Sequence, residues 1–352
     1  MQYLTAEWQS HREATAYGEA TAKPQPNGEA IAKRQPKSLT KKKARLKYMK
    51  TKDVALVSVY MDLAAGRRGV DMGPSAIRIA GLVNKLEKMG YKTHEMGAIY
   101  AHEPEICTPG ENNLKYLKEV TNVCKQVKKQ MLMACEKGWL PLVLGGDHSI
   151  AIGTVSGVAE HYKSLDQKIG LIWVDAHADM NLPETSPSGN IHGMPLAVLL
   201  GKGDPALVGL NGETPSVAPQ NVTIIGARDI DESEKELVRQ SGVRVFTMSE
   251  IDERGIAYCI DESIKRAMAG TCGFHLSFDL DSLDPIDAPG VGTPVDGGLS
   301  YREGHLICEK AARSGGLLSM EAVEVNPILD AHNRTAQLAV EIIESALGKT
   351  IL

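Results

Sequence analysis

Seven short apolar runs, at 54–60, 140–144, 171–174, 222–225, 243–247, 276–278 and 317–323, constrain the fold more than any other feature of this chain. Most of them, such as Leu142-Val143-Leu144 and Leu171-Ile172-Trp173-Val174, do not alternate apolar with polar residues, so both faces of each strand must be covered. Between them lie stretches with helical spacing at 74–89, 114–137, 150–162, 232–240, 257–268, 302–313 and 335–347. The first has Pro74 near its start and Gly90 just past its end, the expected punctuation of a helix. Strands buried on both faces and separated by helices predict a three-layer α/β/α architecture with a largely parallel central sheet. With 352 residues the chain is long enough for one large domain or two small ones. In such sheets ligands sit beyond the carboxyl ends of the strands.

Composition narrows the possibilities further. The net charge of −5 gives no reason to expect nucleic acid or a membrane as partner. No apolar run approaches the roughly 20 residues that span a bilayer, and the N-terminus lacks the order of a secretory signal. The six cysteines are dispersed without a CxxC pair, which reads as reduced thiols in a cytoplasmic chain. Residues 1–50 differ from the rest. They carry eleven basic and four acidic side chains, and they repeat a decamer, GEATAKPQPN at 18–27 and GEAIAKRQPK at 28–37. With so few large apolar residues they read as a basic, disordered extension, either passive or anion-binding and targeting, ahead of a folded domain at 51–352.

Three of the apolar runs lead straight into acids. These are Leu142-Val-Leu-Gly-Gly-Asp-His148, Leu171-Ile-Trp-Val-Asp175-Ala-His177-Ala-Asp179 and Leu276-Ser-Phe-Asp279-Leu-Asp281. A single Asp-x-Asp or Gly-Gly-Asp-His is ordinarily a turn. Three of them at strand ends are harder to explain that way, because buried carboxylates repel one another unless a cation lies between them. If the second strand continues, Asp175, His177 and Asp179 leave one face of it. Two imidazoles (His148, His177) and four carboxylates (Asp175, Asp179, Asp279, Asp281) carry four negative charges, which two divalent ions neutralise. This fairly hard donor set suits two Mn²⁺, with Co²⁺, Ni²⁺ or Fe²⁺ also acceptable, and suits a thiolate-type zinc site poorly. Asp175 and Asp279, first in their clusters, are the expected bridging carboxylates.

The segments Gly145-Gly-Asp-His-Ser149, Asp175-Ala-His-Ala-Asp-Met-Asn181 and Ser277-Phe-Asp-Leu-Asp-Ser-Leu-Asp-Pro285 resemble the signature motifs of the ureohydrolases, the arginase and agmatinase family. Arg67-Arg-Gly-Val-Asp-Met-Gly-Pro-Ser-Ala-Ile-Arg78 and Val323-Glu-Val-Asn-Pro327 extend the likeness over 53–352. The resemblance implies a single-domain arginase-like fold. It also implies hydrolysis of a guanidinium group through a metal-bridging hydroxide, with a homo-oligomer, trimer or hexamer, as the assembly. Asn181 and Ser188-Gly-Asn190-Ile-His192 resemble the arginase loop that receives an amino acid's α-carboxylate, which assigns that role to Asn181, Ser188 and Asn190. By the same likeness Asp231 and Glu234 meet the α-ammonium, Glu324 grips the guanidinium, and Thr293 has a lesser place in the site.

These assignments point to L-arginine as substrate and to urea and L-ornithine as products. Asp179 is then expected to pass a proton to the departing amine. His192 is the candidate proton shuttle, since only histidine has an unperturbed pKa near neutrality. His275 and the remaining histidines are expected to be structural or surface residues. Another ureohydrolase activity, on agmatine or guanidinobutyrate, stays open, as does a silent binding protein that keeps the fold.

Overall fold

A computed structural model describes residues 51–352 except Glu213, so the expectations for the basic extension fall outside the described residues. Its main sheet contains β1 (Asp53–Tyr60), β2 (Lys92–Tyr100), β5 (Leu140–Leu144), β6 (Gly170–Val174), β7 (Val222–Ala227), β8 (Arg244–Thr247), β9 (Phe274–Asp279) and β10 (Leu317–Val323). Their order is β2-β1-β5-β10-β9-β6-β7-β8, and every pair is parallel. A separate small hairpin pairs β3 (Gly110–Glu111) with β4 (Leu114–Lys115).

Both faces of the sheet are buried, as the continuous apolar runs require. Along β1, Val57 and Val59 enter one core, with Val120, Val127 and Met131 of the helix Leu117–Glu136 and Val155 and Val158 of the helix Ala151–Ser164. Val54 and Leu56 point the other way, into a second core. There they meet Ile260 of the helix Ile256–Ala267, Ile307 of Tyr301–Ser314 and Ile343 of Arg334–Ala346. Helix layers on both sides give the three-layer α/β/α arrangement, with no described helix long and apolar enough to cross a membrane.

Two expectations are corrected. The stretch 74–89 is not one helix but two, Gly73–Ile79 and Leu82–Lys88, because Gly81 takes φ +90° between them. An eighth strand, β2, escaped notice because it lies at the sheet's edge and is mostly half-buried or exposed, so its sequence KTHEMGAIY lacks an apolar run.

Close approach of the helices Leu117–Glu136 and Ala151–Ser164 depends on glycine. A Cβ at Gly153 would lie 2.5 Å from the Cys124 carbonyl oxygen, and one at Gly157 would lie 2.6 Å from that of Lys128. Backbone cannot yield as a side chain does. Gly157→Val is therefore expected to destabilise the protein by about 3 kcal/mol, read as a lower denaturant midpoint; an unchanged midpoint would contradict the tight crossing.

Candidate metal centre

The four central strands, β5, β10, β9 and β6, are neighbours and parallel, so their carboxyl ends open on one edge of the sheet. His148 follows β5, Glu324 follows β10, Asp279 ends β9 with Asp281 just beyond, and Asp175, His177 and Asp179 follow β6. Residues scattered over 148–324 therefore meet in one place. Strand β6 does not continue through its acids as the alternation suggested. It stops at Val174, and the chain turns, with Asp179 at φ +51°. Glu324 is likewise left-handed, at φ +64°. Non-glycine residues held this way are strained, and such strain gathers at functional sites.

At the start of this edge, β5 and the segment after β1 nearly touch. A Cβ on Gly146 would lie 1.9 Å from the Met61 carbonyl oxygen, which accepts the Asp147 N–H at 2.9 Å. Asp147 itself is a bracket: its carboxylate accepts from Ala64 N at 3.0 Å and from the Ser149 backbone and hydroxyl. Arg228 does similar work behind Asp281. It donates to the carbonyls of Asp281, Ser282, Leu283 and Val295, fixing the loop that carries the acid.

His148 is fully buried, and its Nδ1 lies 3.0 Å from Asp175 Oδ2, 3.1 Å from Asp179 Oδ2 and 3.0 Å from Asp279 Oδ2. Its ring stacks on Trp173 with centroids 4.0 Å apart. A second niche holds His177 Nδ1, 3.3 Å from Asp175 Oδ1 and 3.2 Å from Asp281 Oδ2. His148, Asp175 and Asp279 in the first niche, and Asp175, His177 and Asp281 in the second, offer ligand atoms within 4.8 Å of one another. Asp175 therefore faces both imidazoles, one oxygen each, as a bridging carboxylate should. Asp279 Oδ2 lies in the first niche, 3.0 Å from His148 Nδ1.

The charges show what this crowding costs. Burial and then the Asp281 and Asp175 charges push Asp279 well above the usual carboxylate range; burial and Asp175 push Asp179 up to about 7. Burial disfavours a charge on His148, yet the three carboxylates raise its pKa well above the ordinary histidine value. Asp179, Asp279 and the imidazoles here keep protons they would otherwise release, while, against its burial, His148 and His177 hold Asp175 below the usual carboxylate range. A divalent cation replaces such protons with a larger charge at the same focus, so the residues fit a two-ion centre.

The far side of His148 fixes its orientation. His148 Nε2 lies 2.7 Å from Ser277 Oγ, Ser277 Oγ–H donates to Glu321 Oε1 at 2.8 Å, and Thr154 Oγ1–H donates to Glu321 Oε2 at 2.7 Å. Although burial opposes it, the His275 hydrogen bond and charge keep the Glu321 carboxyl below its usual pKa. Glu321 can only accept, and Ser277 has one proton to give. Ser277 must then accept from His148 Nε2–H, which turns the Nδ1 lone pair of the neutral ring toward the carboxylates. Sequence reasoning overlooked Glu321 and set His275 aside. Only the structure reveals them, as two fully buried ionisable groups on adjacent strands.

Above the ions' niches lies a cavity lined by thirteen of the fourteen anticipated site residues; Asp175, the fourteenth, is buried beneath it. Ser186, Gly193 and Asp229 also line it and were not anticipated. Thr293 Oγ1–H donates to Asp281 Oδ2 at 2.9 Å and so orients that acid. Asn181 donates to Asp231 Oδ2 at 2.8 Å and accepts from Thr185, while Glu234 is buried and accepts from Met180 N at 2.5 Å. Burial pushes Glu234 up to about 8. His192 Nδ1 lies 3.1 Å from Glu324 Oε1, which also accepts from His148 N. Burial opposes charge on His192, but Glu324 raises its pKa to about 9. Glu324 Oε2 is buried with no hydrogen-bond partner, and Gly292 leaves it room: a Cβ there would sit 3.1 Å away.

The proton order behind His148 is testable. In Glu321→Gln the amide can donate to Ser277, whose proton then points at His148 Nε2 and forces the ring to protonate Nδ1. Affinity for the first divalent ion should fall about 10–100-fold in titration calorimetry, with the circular dichroism spectrum retained. Native affinity in that variant would refute the order.

Comparison with known proteins agrees with this geometry. The arginase family model matches residues 52–348. The arginase of Brevibacillus brevis is 53% identical over 301 residues, covering 86% of this chain and 99% of that protein. The arginase of Bacillus subtilis is 50% identical over 301 residues, with the same coverage of 86% and 99%. The native crystal structure of Bacillus caldovelox arginase superposes with a TM-score of 0.82 at 47% identity, covering 85% of this chain and 99% of that one. On the family match and these identities, this chain belongs to the arginase family.

Proposed function

We propose that the chain hydrolyses the guanidinium group of L-arginine to urea and L-ornithine, with two Mn²⁺ as its native ions. The observation that carries the reading is Glu324, which lines the cavity beside the niche acids Asp179, Asp279 and Asp281 and whose buried Oε2 has no hydrogen-bond partner. A buried anion calls for a cationic ligand, and a guanidinium offers planar, charge-assisted donors. The membership established above supports the same substrate.

His148, Asp175, Asp179 and Asp279 would hold one ion and His177, Asp175, Asp279 and Asp281 the other, with Asp175 and Asp279 as the shared carboxylates. When bound, such a pair supplies Lewis acidity that ionises a water near neutral pH. Glu324 binds the guanidinium through Oε2. Full use of Oε1 as well requires His192 to release it, which frees His192 at the cavity wall to exchange protons with solvent. Hydrolysis breaks the bond between the guanidino carbon and the side-chain nitrogen. The water's oxygen ends in urea, and the departing amine needs a proton. Asp179 lines the cavity and would hand that proton over.

At the other end, Ser188 and Asn190 receive the α-carboxylate. The Ser188 hydroxyl accepts from Asn190 N at 3.2 Å and keeps its own proton for the substrate. Asn181, with one amide proton engaged by Asp231, contributes the other. Asp231, and through it Glu234, face the α-ammonium. Residues 51–352 hold every side chain this reading uses, so we assign them as the catalytic domain and residues 1–50 as an appended extension. The assembly proposed is a homo-oligomer, trimer or hexamer, working in the cytoplasm.

Urea release from L-arginine, agmatine and 4-guanidinobutyrate, after loading with Mn²⁺, Co²⁺, Ni²⁺ or Fe²⁺, tests the proposal. Arginine should exceed the other two by at least about 100-fold in kcat/KM, since a receptor built for a polar group rejects ligands lacking it. Mn²⁺ should support the highest rate. Preference for agmatine would replace the substrate assignment, and no urea from any of them would end it.

A further inference from the structure

Behind the Ser188–Asn190 loop stands a cation. Lys115, in β4, extends Nζ to Asn190 Oδ1 at 3.2 Å. The placement is built rather than incidental. Lys115 N–H donates to the Gly189 carbonyl at 3.0 Å, and Gly189, at φ +69°, lies so close to the hairpin that a Cβ on it would be 1.9 Å from the Asn112 carbonyl oxygen. The β3–β4 hairpin and the Ser188–Asn190 loop are therefore one packed unit.

We infer that Lys115 is a specificity-determining positioning residue: it sets the Asn190 amide and supplies the positive charge that lets the cavity accept a ligand with a carboxylate beside its amine. The inference rests on the substrate reading above and deepens it. An ammonium can only donate, so Asn190 must turn Oδ1 toward Lys115, and its Nδ2 donors face away from it. Lys115 is half-buried, and among the described residues no carboxylate is paired with it. An incompletely hydrated ammonium favours an anion nearby. The cavity's other charged walls do not offer one to Lys115. Asp229, Asp231 and Glu234 line the cavity but none is paired with Lys115, and Glu324 is engaged by His192. The cavity thus combines carboxylates in its lining with an ammonium behind Asn190, the two charges that a zwitterion calls for. A ligand that lacks the carboxylate gains nothing from Lys115.

The test uses the full chain, Mn²⁺-loaded, with L-arginine as substrate and L-ornithine and agmatine as competing ligands. In Lys115→Met, KM for arginine and Ki for ornithine should each rise about tenfold, about one decade of affinity. The value of kcat should change less than about twofold, and agmatine binding should stay within about twofold of native. Lys115→Arg should recover most of the loss. Lys115→Gln keeps a donor to Asn190 without the charge, so it should resemble Met and serves if Met does not fold. Native KM in the Met or Gln variant overturns the inference, and so does an equal loss for agmatine, which would mean that Lys115 merely stiffens the loop. A native protein that neither turns over arginine nor binds ornithine overturns the underlying substrate reading itself, an outcome visible before any variant is made.

Discussion

Four buried aspartates gathered around a buried imidazole and a half-buried one are an electrostatic problem that a polypeptide alone solves badly. Side chains can answer it by keeping protons, and Asp179, Asp279, His148 and His177 all shift in that direction. Divalent cations answer it better, because they bring more charge to the point where the oxygens converge. The rest of the site is arranged around that focus. Trp173 covers His148 and donates to Asp175 Oδ2 at 2.9 Å, Arg228 pins the loop carrying Asp281, and Glu321 orders the protons behind His148.

Holding like charges together requires a scaffold that cannot relax. Parallel strands provide it, since β5, β10, β9 and β6 all deliver their loops to the same edge and both faces of the sheet are packed. The glycines next to the site are part of the same rigidity. Gly146 lets the backbone after β5 rest against Met61, a distance no side chain would permit. Left-handed Asp179 and Glu324 are the local cost, offset by the packing of the whole domain. Their strain has a use. Each aims a carboxylate into the cavity where a residue in ordinary strand geometry would aim it elsewhere.

Much of this was legible in the chain, and for a physical reason. Buried parallel strands are continuous apolar runs, and the site residues sit immediately after them, so Asp175, Asp279 and His148 announce both fold and chemistry. What could not be read was whatever depended on contacts distant in sequence. The edge strand β2 has no apolar run because one side of it lacks a neighbour. Gly81 breaks a helix that periodicity alone would continue. Glu321 looks like an ordinary strand residue until its strand is seen to lie beside Ser277 and His275. Lys115 lies 75 positions before Asn190, in a two-residue strand that no pattern signals. The alternation of Asp175, His177 and Asp179 did point to side chains that cluster, though through a loop and not through the continued strand it suggested.

The claim beneath everything else is that one carboxylate, Asp175, serves two ions at once. Metal content after equilibrium dialysis against Mn²⁺, measured for the native protein and for Asp175→Ala with its fold checked by circular dichroism, tests it directly. Two ions per chain in the native protein and the loss of both in the variant are expected, since each niche has an Asp175 oxygen in it. One ion per native chain, or a variant that keeps its full complement, would contradict the shared centre.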